Sequence, residues 1–236
     1  MLVTKLEHAC LVVEQDGGRL VIDPGAYTRP VEVSDVVAVV VTHEHPDHGT
    51  AEQLDRILDR NPGIPVFGPA GVASALAAAV EVDVVADGDT RTVGAFTLSF
   101  HGTRHQLIHS SVPVVDNTGV FVNSTLFHPG DAYIDPGAPV EVFAAPVGAP
   151  WLKIGELMDH LLAVAPRRAI PIHEATLSDI GFAGHTDRIR QVVEPAGEVV
   201  VLAPGGVVHR LRVGSPSSPP SSSASHGAWR SASLSK

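Results

Sequence analysis

Val36-Val37-Ala38-Val39-Val40-Val41-Thr42-His43-Glu44-His45-Pro46-Asp47-His48 decides both the fold and the chemistry of this chain. An apolar, β-branched run of this kind reads as a buried strand. It ends in six residues that carry three imidazoles and two carboxylates. Imidazole nitrogen and carboxylate oxygen are the usual ligands of zinc and other divalent transition ions. Pro46 fixes its own φ and biases His45 away from helical conformation, so the chain turns here and the side chains can fan around a centre. A merely solvated polar turn would not concentrate so scarce a residue directly after a hydrophobic strand.

The rest of the chain sets bounds on that reading. With 236 residues, 44% of them hydrophobic and 18% charged, it can bury a substantial core. The net charge of −10 and the absence of a Lys/Arg cluster argue against a nucleic-acid partner. Cys10 is the single cysteine, which rules out an internal disulfide. No apolar run approaches the roughly 20 residues of a membrane helix. Met1 to Glu14 has no basic segment followed by a long apolar stretch, so a soluble, cytoplasmic protein is expected. From Gly214 the composition collapses into Ser, Pro and Ala, which predicts an ordered domain over 1–213 and a disordered tail over 214–236. His226 and Trp229 fall in that tail.

Strands and helices are expected to alternate along the ordered part. Strands are expected at Leu2–Leu6, Ala9–Val13 and Arg19–Ile22, with an Asp16-Gly17-Gly18 turn. Ala51–Arg60 reads as a helix stopped by Asn61-Pro62-Gly63, and Gly71–Val80 as a second. Val82–Val85, Thr90–Val93, Phe96–Phe100, Val112–Val115, Gly119–Asn123, Leu126-Phe127, Val142–Ala145 and Ala169–Ile172 read as further strands. The stripe Ile154, Leu157, Met158, Leu161, Leu162, Ala165 predicts an amphipathic helix over Lys153–Ala165. A last helix over Thr186–Val193 is expected before a hairpin of Val199–Leu202 and Val207–Val213, joined by Pro204-Gly205-Gly206.

Further chemistry-bearing residues stand at predicted strand ends, where loops collect around active sites. Asp23 closes the early hairpin, His105 lies past Phe96–Phe100, Asp131 follows Leu126-Phe127, and His173 follows Ala169–Ile172. His101 and His109 are the alternatives to His105. His128 is read as a residue lining the site, His8 and His209 as strand histidines, and His185 as a helix-start or pocket-wall residue.

The order and spacing of Asp23, His43-x-His45-x-Asp47-His48, His105, Asp131 and His173 resemble the metallo-β-lactamase superfamily over 1–213. The resemblance implies an α/β protein, a four-layer αββα sandwich of two mixed β-sheets flanked by helices, with metals at one edge of the sheets. It implies that His43, His45 and His105 hold a first ion, that Asp47, His48 and His173 hold a second, and that Asp131 bridges them. Asp23 would stand behind, fixing a ligand histidine through its other ring nitrogen. His105–His109, Phe127–Asp131 and Pro146–Trp151 look most like the small stand-alone bacterial branch related to ascorbate-6-phosphate lactonase. Gly-His-Thr, usual around the third histidine motif, is missing at His105 and occurs instead at Gly184-His185-Thr186, after Asp131.

The function implied is that of a hydrolase with two divalent ions, zinc first and manganese or iron admissible. A metal-bridging hydroxide would attack an ester, lactone or related bond of a small molecule. Asp47 would orient that hydroxide and pass a proton to the leaving group. A phosphodiesterase of the same fold, or a mononuclear iron enzyme that oxidises persulfides, are the alternatives. A small-molecule substrate, no nucleic acid, no membrane and an admissible homo-oligomer complete the expectation.

Overall fold

The computed structural model describes residues 1–208. Two seven-stranded mixed sheets lie face to face with helices on both outer faces. The first sheet is built from β1 (Leu2–Lys5), β2 (Leu11–Gln15), β3 (Gly18–Ile22), β4 (Val36–Val40), β5 (Val66–Gly68) and β6 (Asp83–Val84). The second comprises β7 (Thr90–Val93), β8 (Phe96–His101), β9 (Gly119–Val122), β10 (Leu126–His128), β11 (Val142–Pro146), β12 (Arg168–Ile172) and β13 (Glu198–Val199). β14 (Val207–Val208) returns to the first sheet. The helices are α1 (Ala51–Arg60), α2 (Ala70–Leu76), α3 (Ile154–Val164) and α4 (Asp179–Val193).

Period-two alternation sorts the strand residues into layers. Leu11, Val13, Leu20, Ile22, Ala38 and Val40 of the first sheet meet Phe96, Leu98, Phe100, Val120, Val142 and Ile170 of the second in the central core. The opposite faces are also apolar. Val21, Val39 and Val66 pack on Leu54 and Ile57 of α1 and Val72 of α2. Phe127, Phe143 and Ala169 pack on Leu157 and Leu161 of α3 and Ile189 and Val193 of α4. Burial on both faces explains why β4 and β11 read as unbroken apolar runs. The expected four-layer sandwich is the observed one.

Three local expectations fail. Among the described residues, Val199–Leu202 does not pair with Val207-Val208 as the expected hairpin would, and 209–213 lie outside those residues. β13 pairs in parallel with β12, whereas β14 pairs antiparallel with β1 in the other sheet. Gly205, at φ 81, carries the chain across, and its N–H meets the Lys5 carbonyl at 2.7 Å. Each segment completes a free sheet edge, a gain that local turn chemistry does not reveal. Val112–Val115 is loop: Pro113 offers no N–H, and Val112 and Val114 are exposed. α4 starts at Asp179, seven residues before the expected Thr186, because Ser178 caps it by accepting the Gly181 N–H at 3.2 Å. Its glycines at 181 and 184 had masked the helical pattern. His209 and the tail over 214–236 lie outside the described residues.

Candidate metal centre

Strand direction gathers the chemistry at one rim. β1 and β2 are antiparallel, as are β2 and β3, while β3 and β4 are parallel. The turn between β1 and β2 therefore lies at the same sheet end as Asp23 after β3 and His43 after β4. In the second sheet, β8 and β10 each pair antiparallel with β9, and β10, β11 and β12 are parallel. His105, Asp131 and His173 thus leave their sheet at a common end. The two rims meet where His173 N–H donates to the His8 carbonyl at 3.0 Å and the His128 ring bonds the Ala9 carbonyl at 2.9 Å.

Asp23 organises the first loop from behind. Fully buried and at φ 50, it accepts the Thr42 N–H at 2.8 Å, the Thr42 hydroxyl at 2.8 Å and the His48 Nδ1–H at 2.7 Å. His45 to Gly49 close into a turn through His48 N–H and Gly49 N–H, both donating to the His45 carbonyl. Downstream, α1 is capped by Thr50, and the buried Gln53 side chain ties Val31 N–H and the Thr28 carbonyl to this helix. Gly130 lets Asp131 in: a Cβ there would lie 2.3 Å from Asn117 Oδ1 and 2.8 Å from Thr42 Oγ1. Asn117 Oδ1 in turn receives the Asp131 N–H at 2.9 Å.

All seven expected ligands converge. His43, His45 and His105 form one group whose ring nitrogens lie within 4.8 Å of one another; Asp47, His48 and His173 share a second with His8; Asp131 joins His43 and His48 in a third. Asp131 Oδ2 stands 3.1 Å from His173 Nε2 and 3.5 Å from His105 Nε2, and its Oδ1 stands 3.3 Å from His48 Nε2. His43 Nε2 faces His45 Nδ1 at 3.1 Å, and His48 Nε2 faces His173 Nε2 at 3.1 Å. His101 instead bonds Ser99 and His109 bonds Ser111, so of the three candidates only His105 reaches the cluster.

The donor set fits a metal. His105 Nδ1 donates to the Gln106 carbonyl at 2.6 Å, which leaves a lone pair on Nε2. That Nε2 and Asp131 Oδ1 are buried without a hydrogen-bond partner among the described residues. Polar atoms stranded in this way cost about 1–3 kcal/mol each unless something fills the gap. His48 Nδ1 and His173 Nδ1 are likewise engaged, by Asp23 and by the Gly148 carbonyl, so the facing Nε2 atoms are gathered for a cation.

Protons take the cation's place in the metal-free chain. Burial lowers the His43 pKa well below the ordinary histidine range, with repulsion from His48 adding to it, so this ring is neutral. Burial would also lower His48 and His173. The Asp131 carboxylate outweighs it in both, with help from Asp23 and Asp47 respectively, so His48 is held well above the ordinary range and His173 is raised to about 9. Burial works against the charged form of Asp47 and of Asp131. His173 and His8 for Asp47, and His48 and His173 for Asp131, more than offset it and hold both far below the carboxylate range. A raised histidine pKa stabilises the fold fully below the unfolded value near 6.5 and is lost as pH rises through the folded value. The metal-free chain is therefore expected to be less stable at pH 9.5 than at pH 6.5. Denaturant titrations at the two pH values check this; equal or greater stability at pH 9.5 contradicts it.

Three residues of the centre carry no signal that the sequence alone makes plain. His8 is not a strand histidine but sits at φ 58 in the turn between β1 and β2, fully buried, with Nε2 3.1 Å from Asp47 Oδ2. Antiparallel pairing of two consecutive strands before Asp23 was the signal that could have placed this turn at the rim. Trp151 donates its indole N–H to Asp131 Oδ2 at 2.7 Å. Lys5, almost fully buried, pairs with Glu174 at 2.5 Å beside His173; nothing in the sequence marks it. His185 lies inside α4, not at its start, and its ring bonds the Val147 carbonyl at 2.5 Å. Because Trp151 grips Asp131, zinc binding is expected to change its fluorescence in a Trp229→Phe background. Trp151→Phe should weaken zinc binding roughly tenfold or more in chelator competition. Parental zinc affinity in Trp151→Phe, or an unchanged Trp151 emission on zinc binding in the Trp229→Phe chain, contradicts the contact.

Comparison with known proteins agrees with this fold. The model described as beta-lactamase superfamily domain matches residues 2–173. Protein Rv0786c of Mycobacterium tuberculosis is 37% identical over 75% of this chain and 86% of its own. A protein of Pyrococcus horikoshii named as a UPF0173 metal-dependent hydrolase is 26% identical over 85% of this chain and 95% of its own. The structure of Igni18, a metallo hydrolase from Ignicoccus hospitalis, superposes with a TM-score of 0.65 at 19% identity, covering 88% of this chain and 97% of that one, and supports the fold. A family match that spans most of both sheets, together with a relative of this identity, places the chain in the beta-lactamase superfamily.

Proposed function

We propose that the protein is a metal-dependent hydrolase of small molecules, holding one divalent ion with His43, His45 and His105 and a second with Asp47, His48 and His173, Asp131 serving both. The observation that carries this reading is the pair of stranded atoms, His105 Nε2 and Asp131 Oδ1, among converging imidazoles. Relatives named as metal-dependent hydrolases support it. Nitrogen and oxygen donors suit zinc, with manganese or iron as the next candidates. When bound, the ions supply a water of lowered pKa and a Lewis acid for the substrate's electrophile.

The chain's own residues supply the rest. Asp131 is buried, whereas the Asp47 side chain is 22% exposed, so Asp47 is the acid that faces an entering substrate. It orients the attacking water and carries a proton to the leaving group. Asp23 holds His48 from behind and Gly148 holds His173. A carboxylic ester or lactone is the substrate class proposed. No helix of the described residues is long and apolar enough to cross a membrane.

Metal analysis of the purified chain, together with a panel of esters, lactones, thioesters and phosphodiesters, tests the proposal. Two ions per chain with ester or lactone turnover are expected. Turnover of phosphodiesters alone would move the substrate class, and one iron per chain with oxygen consumption would overturn the hydrolytic reading.

A further inference from the structure

His8 shares a cluster with Asp47, His48 and His173, yet its hydrogen bonds run the opposite way to theirs. In His48, His173 and His105, Nδ1 is engaged by an acceptor: the Asp23 carboxylate, the Gly148 carbonyl and the Gln106 carbonyl. Those rings therefore carry hydrogen on Nδ1 and can offer Nε2 to a cation. In His8, Nδ1 receives the backbone N–H of Ala175 at 3.3 Å. An atom that accepts a hydrogen bond needs its lone pair, so in the neutral ring hydrogen sits on Nε2. That nitrogen faces Asp47 Oδ2 at 3.1 Å.

We infer that His8 is the positioning residue of Asp47, an Nε2–H donor held in one tautomer by Ala175, and not an eighth metal ligand. The inference rests on the metal centre proposed for this chain. The ring has no freedom to act otherwise: it is fully buried, lies 3.8 Å from the His173 ring, and has the edge of Tyr27 5.0 Å away. Asp47, by contrast, is the most solvent-open acid of the centre, more exposed than Asp131 or the fully buried Asp23. With Oδ2 tied to His8, the carboxylate stays turned toward His173 and His48. A pre-oriented acid loses less entropy on engaging a metal or a water, which is the usual effect of an outer hydrogen-bond partner.

Two measurements test this. Long-range proton–nitrogen correlation on labelled protein, metal-free and zinc-loaded, should find His8 protonated on Nε2 and bare on Nδ1 in both states. Hydrogen on Nδ1, or a metal-bound Nε2, overturns the inference. Chelator competition should find zinc bound about tenfold or more weakly by His8→Ala. His8→Gln keeps an N–H within reach of Asp47 and should recover most of that loss, along with the visible spectrum of the cobalt-substituted parent. Parental affinity and an unchanged cobalt spectrum in His8→Ala also overturn it. Failure of the parent chain to take up any metal defeats the proposed function instead, while the tautomer of metal-free His8 still decides this inference.

Discussion

Asp131→Ala is expected to strip the protein of metal and bring ester or lactone hydrolysis down to background. This carboxylate stands within 3.5 Å of ring nitrogens from His48, His105 and His173 and accepts the Trp151 indole N–H. Among the ligand carboxylates it alone faces His105 of the first half and both His48 and His173 of the second; Asp47 faces only the second-half histidines. Removing one member of a buried charged network costs roughly 3–5 kcal/mol. Because the lost carboxylate is also the ligand proposed for both ions, metal affinity is expected to fall by roughly a hundredfold or more as well. Elemental analysis after dialysis reads the loss directly. Asp131→Asn, which keeps the shape and an acceptor for Trp151 but not the charge, should bind better than alanine and worse than the parent. Undiminished metal content and turnover in Asp131→Ala would refute the assignment of Asp131 to both ions.

Gly25→Ala should be nearly as damaging although residue 25 carries no chemistry. A Cβ at this position would lie 1.9 Å from the Asp47 carbonyl oxygen, 2.0 Å from its carbon and 2.5 Å from His48 N. These are backbone atoms, so no rotamer change relieves the clash. Ala26 N–H donates to the Pro46 carbonyl at 2.8 Å, stitching the two loops together at this contact. The loop bearing Asp47 and His48 must therefore move, and both are expected ligands. Overpacking usually costs about 1–3 kcal/mol, and a backbone collision belongs at or above the top of that range. A lowered melting temperature and reduced metal content are expected. Gly155→Ala, whose Cβ meets nothing within 4 Å on α3, is the control and should change neither for the worse. Parental metal content and melting temperature in Gly25→Ala would show that the loop does not need this approach.

Much of the centre was legible because its strongest signal is local. His43, His45, Asp47 and His48 are adjacent in sequence and come directly after an apolar strand, so spacing alone brings them together. Asp23, His105, Asp131 and His173 could be picked out as polar residues at strand ends, but singly each resembles an ordinary turn. His8 was misplaced because the gap between β1 and β2 is short and the ring can be read as either strand or turn. Trp151 and Lys5 act through contacts with Asp131 and Glu174, 20 and 169 residues away in sequence, and such pairings leave no local trace. The same limit explains why β13 and β14 do not pair with each other: each is drawn to a distant open sheet edge.

By itself the sequence determined the alternation of strands and helices, the strand that ends in the turn of clustered histidines, and the residue types available for a cation; the layered architecture came from its resemblance to the metallo-β-lactamase superfamily. The first three arise from periodicity, proline and glycine placement, and side-chain chemistry, all of which act over a few residues. Tertiary structure alone decided which histidine of His101, His105 and His109 turns inward, that His8 faces Asp47, and which buried nitrogens keep a lone pair. The reason is physical: a ring's tautomer and direction are set by the groups packed on its far side, and here those groups come from the other sheet or from loops far along the chain.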